Sequence, residues 1–92
     1  MNTITIDGRI NGGIAHKVSA HSGRPYANVT ILIESENKPP FYFRCYAEGP
    51  ICKEIEPIKK GDLVRITGSL ETTVLCDNSY DKQIRVYKIQ KL

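Results

Sequence analysis

The stretch "FYFRCYAEGPICKEIEPIKKGDLVRITGSLET", residues 41–72, decides the fold because it contains two predicted β-strands with a short predicted helix between them. Residues 41–47 carry four aromatic side chains and one arginine in alternation, which is typical of a strand rather than a helix. In the middle segment, "GPICKEIEPIKKGD", isoleucines recur at helical spacing, and Pro57 limits the predicted helix to about two turns. The segment "LVRITGSL" then alternates again and predicts the next strand.

The residues on either side of this stretch have the two-residue period of strands. Residues 26–34 place Ala27, Val29, Ile31 and Ile33 in one inward row, and the run at 14–20 pairs with them as a predicted hairpin through "HSGRP". Alternation also covers residues 3–10 and the last strand at 84–92. Between these strands we expect a glycine-rich bend or bulge and then a loop near 12–13, a polar loop at 35–40 with two prolines, and a hairpin tip at 76–82.

The order of these elements predicts an all-β protein with three strands, one short helix and two further strands. A closed barrel removes the exposed strand edges of such a set. The layout matches the oligonucleotide/oligosaccharide-binding (OB) fold, a five-stranded Greek-key barrel with a short helix between strands 3 and 4. We expect one domain over residues 1–92, since a chain of this length forms one small core.

Composition excludes several classes of function. No apolar run approaches the ~18 residues of a membrane span, and "MNTITIDGRI" lacks the basic and apolar regions of a secretory signal. An odd number of cysteines then predicts free thiols in a reducing cytoplasm. No catalytic grouping, phosphate-binding loop or zinc-ligand spacing is visible, so we expect neither an enzyme nor a bound metal or cofactor.

The aromatic segment at 41–47 is the candidate binding surface. If it is one strand, Phe41, Phe43, Cys45 and Ala47 share one face, which suits a barrel interior. Tyr42, Arg44 and Tyr46 share the other face, with neighbours about 7 Å apart. Rings at such intervals stack on nucleobases, and an arginine between them pairs with a phosphate. Two alternatives remain open: the tyrosines pack against a second subunit or a small apolar cluster, or a one-residue shift of register makes the phenylalanines the platform.

Other residues join this candidate set because of their positions. Arg9, Arg65 and Arg85 lie opposite apolar residues in strand parity, so they face outward and could meet phosphates. Tyr80 lies at the predicted tip of the last hairpin, where it could clamp a strand of nucleic acid or cap its own turn. Tyr26 faces away from the apolar row of its own strand. The net charge of +3 adds only a mild bias towards polyanions.

Three segments resemble one family in order and spacing: "IDGRI" at 6–10, "SGRPYANVTILIE" at 22–34 and the whole stretch at 41–72. They resemble the binding domain of bacterial single-stranded DNA-binding (SSB) proteins and their relative, the dimeric primosomal replication protein. The resemblance implies sequence-independent binding of single-stranded DNA in replication, recombination or repair, by stacking and phosphate neutralisation. It also implies a homodimer or homotetramer built on the first strand, where Thr3, Thr5 and Asp7 could form an edge, and contacts with other replication proteins.

Two rival functions use the same fold. The chain contains no tryptophan, whereas the SSB family usually has tryptophans on its binding surface. This favours a protein-interaction barrel in a replication or mobile-element assembly, with no direct role in DNA binding. RNA binding, as in cold-shock barrels, is the second rival, but their aromatic RNA-binding motifs are absent.

Overall fold

The computed structural model describes residues 2–92 and contains five strands that close into a barrel in the order β1-β2-β3-β5-β4. Strands β3 and β5 are parallel, and every other neighbouring pair is antiparallel. This architecture confirms the predicted all-β OB fold. The strands are β1 (Ile4–Val18), β2 (Pro25–Ser35), β3 (Lys38–Glu48), β4 (Leu63–Val74) and β5 (Tyr80–Lys91).

The predicted short helix lies between β3 and β4 and packs onto the barrel. One turn of 3-10 helix (Gly49–Ile51) leads into α1 (Cys52–Ile55). Ile55 is fully buried, and Ile58 just beyond the helix is also buried. The helix is shorter than the two turns that Pro57 allows, but its apolar side chains join the core as their spacing predicts. Among residues 2–92, no helix is long and apolar enough to cross a bilayer.

Inward-facing residues of all five strands form the core. The predicted row of β2 is confirmed at Ala27, Val29 and Ile31, which are at most 3% exposed. The core is made mainly of isoleucine, valine, alanine and cysteine, so the narrow barrel is filled by small and branched side chains. None of the aromatic side chains is fully buried: Phe43 packs against the core from its edge, and the others lie at the rim or on the outside of the barrel.

The predicted loop after the glycines of the first strand does not form. Instead, β1 runs through them as one strand of 15 residues, with a shift of register between Asn11 and Ala15. Gly12 has a φ of 81°, which lets the backbone bulge at this point without ending the ladder to β2. The bulge was predicted correctly, and the loop was wrong because a strand that bends around a barrel needs a kink rather than an interruption.

The polar loop predicted at 35–40 is shorter in the structure. Only Glu36 and Asn37 form the turn, and Lys38 already pairs with Ser35. Asn37 takes the left-handed conformation that a tight hairpin requires, with a φ of 63°. The two prolines that follow lie inside β3. They are tolerated because this end of β3 pairs with β2 alone, so its other edge is free of a ladder.

The hairpin of β4 and β5 also extends further than predicted. The ladder continues out to Val74 opposite Tyr80, and only residues 75–79 form the loop. Tyr80 is therefore the first residue of a strand rather than part of a turn. The two strands form an arm that extends beside the outer end of β3, where the candidate site lies.

Candidate nucleic-acid interface

A groove opens between the outer end of β3 and the start of β5. Only Cys45 and Tyr46 of β3 pair with β5, opposite Ile84 and Arg85, so the two strands are unpaired before this point. The space between them has a volume of about 260 Å³. We call it the β3–β5 groove. Its lining residues are Thr30, Phe41, Tyr42, Phe43, Arg44, Asp81 and Lys82.

Two phenylalanines give the β3–β5 groove an apolar wall. Their rings meet edge to face, with centroids 6.4 Å apart. Sequence parity predicted that Phe41 and Phe43 share the inward face with Cys45, which is fully buried. The predicted face is correct, but Phe41 is 48% exposed. The reason is that β3 extends past the end of the barrel, so Phe41 lies beyond the enclosed core. The same row of β3 thus fills the core at one end and lines the groove at the other.

Tyr42 and Arg44 face the outside of the barrel, as their parity predicted. The Tyr42 side chain is 63% exposed, so most of its surface is open to a stacking partner. Arg44 is also exposed, lies opposite Thr30 of β2 and forms no ion pair with the residues that the structure describes. The groove therefore combines an open ring with a guanidinium that a phosphate can reach.

Tyr46 has a different environment, although it lies on the same face. Its ring packs against Tyr26 with centroids 6.2 Å apart and an interplanar angle of 38°. Its hydroxyl donates a hydrogen bond to Glu48, whose other carboxylate oxygen lies 3.3 Å from the Arg24 guanidinium. The hydrogen bond raises the pKa of Tyr46 and lowers that of Glu48. Tyr46 and Tyr26 thus lie outside the groove and offer less free ring surface than Tyr42.

Arg65 and Arg9 also make contacts within the chain. The Arg65 guanidinium donates two hydrogen bonds to Asp7, with Nε and Nη2 at 2.8 Å and 3.0 Å from the carboxylate oxygens. Nη1 of Arg9 donates to the backbone oxygen of Gly61 at 2.8 Å. Neither arginine lines the β3–β5 groove. Leu32 lies between Arg9 and Tyr42 in the cross-strand order, so Arg9 is the nearer of the two arginines to the groove.

Arg85 and Tyr80 lie on β5. Arg85 faces outward between Tyr46 of β3 and Ser69 of β4, and it is half-buried there. Tyr80 is 73% exposed at the start of β5, opposite Val74, which is 60% exposed. Tyr80 therefore presents a free aromatic surface on the arm, one residue before the groove-lining segment of β5.

Asp81 and Thr30 line the groove but were missed by the sequence analysis, and Lys82 was treated there as part of a turn. The sequence gives little signal for them, because residues 70–74 ("LETTV") and 80–84 ("YDKQI") do not alternate between polar and apolar, although both segments lie in the β4–β5 ladder. Asp81 is the one carboxylate among the lining residues. A carboxylate repels phosphate and accepts hydrogen bonds, so it changes what the groove can hold.

The cysteines are free thiols in the structure, as expected. Cys45 and Cys52 are buried and Cys76 is exposed. Burial raises the pKa of Cys45 to about 12, so this thiol stays protonated and unreactive. Within residues 2–92, no three histidine, cysteine or acidic side chains cluster in a way that could hold a metal ion.

The fold has a counterpart among solved structures. The structure is similar to an SSB domain. The crystal structure of the SSB domain of a Synechococcus sp. protein superposes with a TM-score of 0.81, covering 97% of this chain and 93% of that chain. The two sequences are 13% identical, so the similarity establishes the fold. No protein-family model and no curated protein sequence matches the chain.

Proposed function

We propose that this protein binds single-stranded DNA in replication, recombination or repair, and that no particular sequence is required. The observation that carries the proposal is the β3–β5 groove, whose lining includes the open ring of Tyr42, the aromatic wall on the other face of β3, and an Arg44 that forms no ion pair with the residues that the structure describes. Similarity to the Synechococcus SSB domain supports it. In OB folds, the face of strands 2 and 3 and the loop between strands 4 and 5 are common nucleic-acid surfaces.

The proposed mechanism combines stacking with charge. A base stacks on Tyr42, which contributes about 1–3 kcal/mol whatever the base, because every base has a π-face. Arg44 pairs with a neighbouring phosphate, and Lys82 provides a second cation at the same groove. Tyr80 on the arm extends the aromatic surface by one further ring. These contacts distinguish single strands from duplexes, since a duplex hides its base faces.

We also propose that the protein forms a homo-oligomer through the first half of β1. Ile4 to Gly8 pair with β4 only in the described ladder, whereas pairing with β2 starts at Arg9. One edge of this segment is therefore open to a second copy. The side chain of Asp7 is already bonded to Arg65, so the backbone would make the contact. Light scattering after gel filtration should give a dimer or tetramer mass, and a monomer mass would contradict this assembly.

Anisotropy titrations with a labelled oligo-dT at two salt concentrations test the DNA-binding proposal. We expect tight binding at low salt and weaker binding at high salt, because phosphate contacts release counterions. A duplex of the same length is the control and should bind much more weakly. If oligo-dT does not bind even at low salt, the proposal is wrong, and a protein-interaction role becomes the better explanation of the exposed aromatics.

A further inference from the structure

The β3–β5 groove contains a carboxylate that stacking and phosphate neutralisation do not explain. Asp81 lies in its lining together with Arg44 and Lys82, yet it forms no ion pair with any residue that the structure describes. Its Oδ1 accepts one hydrogen bond, from the backbone N–H of Lys82 at 2.8 Å. The other oxygen, Oδ2, has no hydrogen-bond donor within the described residues, and Oδ1 keeps a second lone pair, so both oxygens can accept from a ligand.

A carboxylate in a nucleic-acid groove selects for hydrogen-bond donors. It repels phosphate oxygens, so only a base edge or a sugar hydroxyl can approach it. Guanine is the one DNA base with two adjacent donors, N1–H and the N2 amino group, which match the two oxygens of a carboxylate. Adenine and cytosine place an acceptor nitrogen beside their amino group, and thymine places its single N–H between two carbonyl oxygens.

The rest of the groove suits a base in this position. The ring of Tyr42, on the outer face of β3, offers flat apolar surface to a base, and the edge-packed phenylalanines line the groove from the other face of that strand. Arg44 on the β3 side can hold the phosphate of the same or a neighbouring nucleotide, away from the carboxylate on the β5 side. The lining of the groove thus contains aromatic surface, a cation and an acceptor.

We propose that the β3–β5 groove is a guanine-preferring subsite in which Asp81 accepts hydrogen bonds from the N1–H and N2 amino group of a stacked guanine. The inference rests on the proposed binding of single-stranded DNA and adds base selectivity to it. Binding still requires no defined sequence, because stacking and phosphate contacts serve all bases. Guanine adds a contact at the one nucleotide that occupies the groove.

Two oligonucleotides that differ only in the N2 amino group test this inference. Repeats of dT-dT-dG and of dT-dT-dI have the same length and charge, and hypoxanthine keeps N1–H but lacks the amino group. Isolated guanines also avoid the runs that form quadruplexes. We expect the native protein to bind the guanine oligonucleotide about fivefold or more tightly, because the hypoxanthine oligonucleotide lacks one of the two hydrogen bonds to a charged acceptor.

Two variants then assign the preference to a residue. Asp81→Asn should bind the guanine and hypoxanthine oligonucleotides with nearly equal affinity, because an amide presents one acceptor oxygen instead of two. Glu71→Gln removes the same charge from β4 of the same arm, outside the groove lining, and should keep the native ratio. Equal affinities in the native protein, or a preference that survives Asp81→Asn, would overturn the inference alone. Absence of binding to both oligonucleotides at low salt would overturn the proposed function as well.

Discussion

The carboxylate of Asp7 on β1 accepts two hydrogen bonds from the guanidinium of Arg65 on β4. The two residues are directly opposite in the ladder, so both side chains leave the barrel on the same face. Hydrogen bonding to Arg65 is the main cause of the lowered pKa of Asp7, and it raises the pKa of Arg65. A phosphate could bind Arg65 only by displacing this partner. Among residues 2–92, Arg44 has no such partner, and we therefore expect different roles for the two arginines.

The dependence of DNA affinity on salt separates these roles. For single strands, log affinity falls with log salt by about 0.7 per phosphate neutralised, so about four contacts give a slope of roughly −3. Arg44→Ala should flatten the slope by about one contact and weaken binding to all sequences. Arg65→Ala should leave the slope unchanged and lower the melting temperature slightly, because Asp7 loses its partner.

Lys59→Ala is the control for this salt experiment, because Lys59 lies in the turn before β4 and does not line the β3–β5 groove. It removes the same charge as Arg44→Ala from another part of the surface. If both substitutions flatten the slope equally, binding follows net charge, and the groove around Arg44 is not the site.

Strand periodicity was enough to predict the fold but not the extent of each strand. Parity correctly divided residues 41–47 between the two faces of β3, since successive side chains of a strand alternate. It could not show where the enclosed core ends, which depends on how far β5 runs beside β3. Phe41 therefore carries the same sequence signal as the buried Cys45 but lies in the groove.

The candidate site was less predictable than the fold, because it depends on pairs that only the register brings together. Tyr42 and Tyr46 are equivalent in the sequence, and the structure separates them through one diagonal neighbour on β2, Tyr26. Asp81 is more than thirty residues from β3 in the sequence and joins the groove only because the β4–β5 ladder extends to Tyr80. No local pattern in the sequence predicts such a contact.

The thiols should differ sharply in reactivity. In the native protein without reductant, a thiol reagent at pH 8 should modify Cys76 rapidly and leave Cys45 and Cys52 unmodified, because both are buried and burial raises their pKa. After denaturation, the same titration should count three thiols. A count of one in the denatured chain would show a disulfide, and rapid modification of all three in the native state would contradict the buried positions.

Gly68 should not tolerate a larger side chain. It is buried on β4 where the ladder to β5 shifts register, and a Cβ atom there would lie 2.9 Å from the carbonyl carbon of Arg85. Since the obstacle is backbone, Gly68→Ala should lower the free energy of unfolding by about 1–3 kcal/mol in urea denaturation. Gly13→Ala is the matched control. Its Cβ meets no atom within 4 Å, so its effect should stay within about 0.5 kcal/mol. Equal effects of the two substitutions would contradict this packing.

Substitutions of the two tyrosines of β3 should have different effects on DNA affinity and on the stability of the protein. Tyr42→Ala removes an exposed ring and should weaken single-strand binding by about 1–3 kcal/mol while the melting temperature stays the same. Tyr46→Ala removes the ring that packs against Tyr26, an aromatic pair that contributes about 0.5–1.5 kcal/mol beyond its buried area, so it should lower stability more than affinity. Tyr46→Phe keeps this packing and loses only the hydrogen bond to Glu48, so its stability should lie between those of Tyr42→Ala and Tyr46→Ala.

The measurements are thermal denaturation and anisotropy titration of each variant with oligo-dT. If Tyr42→Ala keeps native affinity, bases do not stack on this ring, and the groove is not the DNA site.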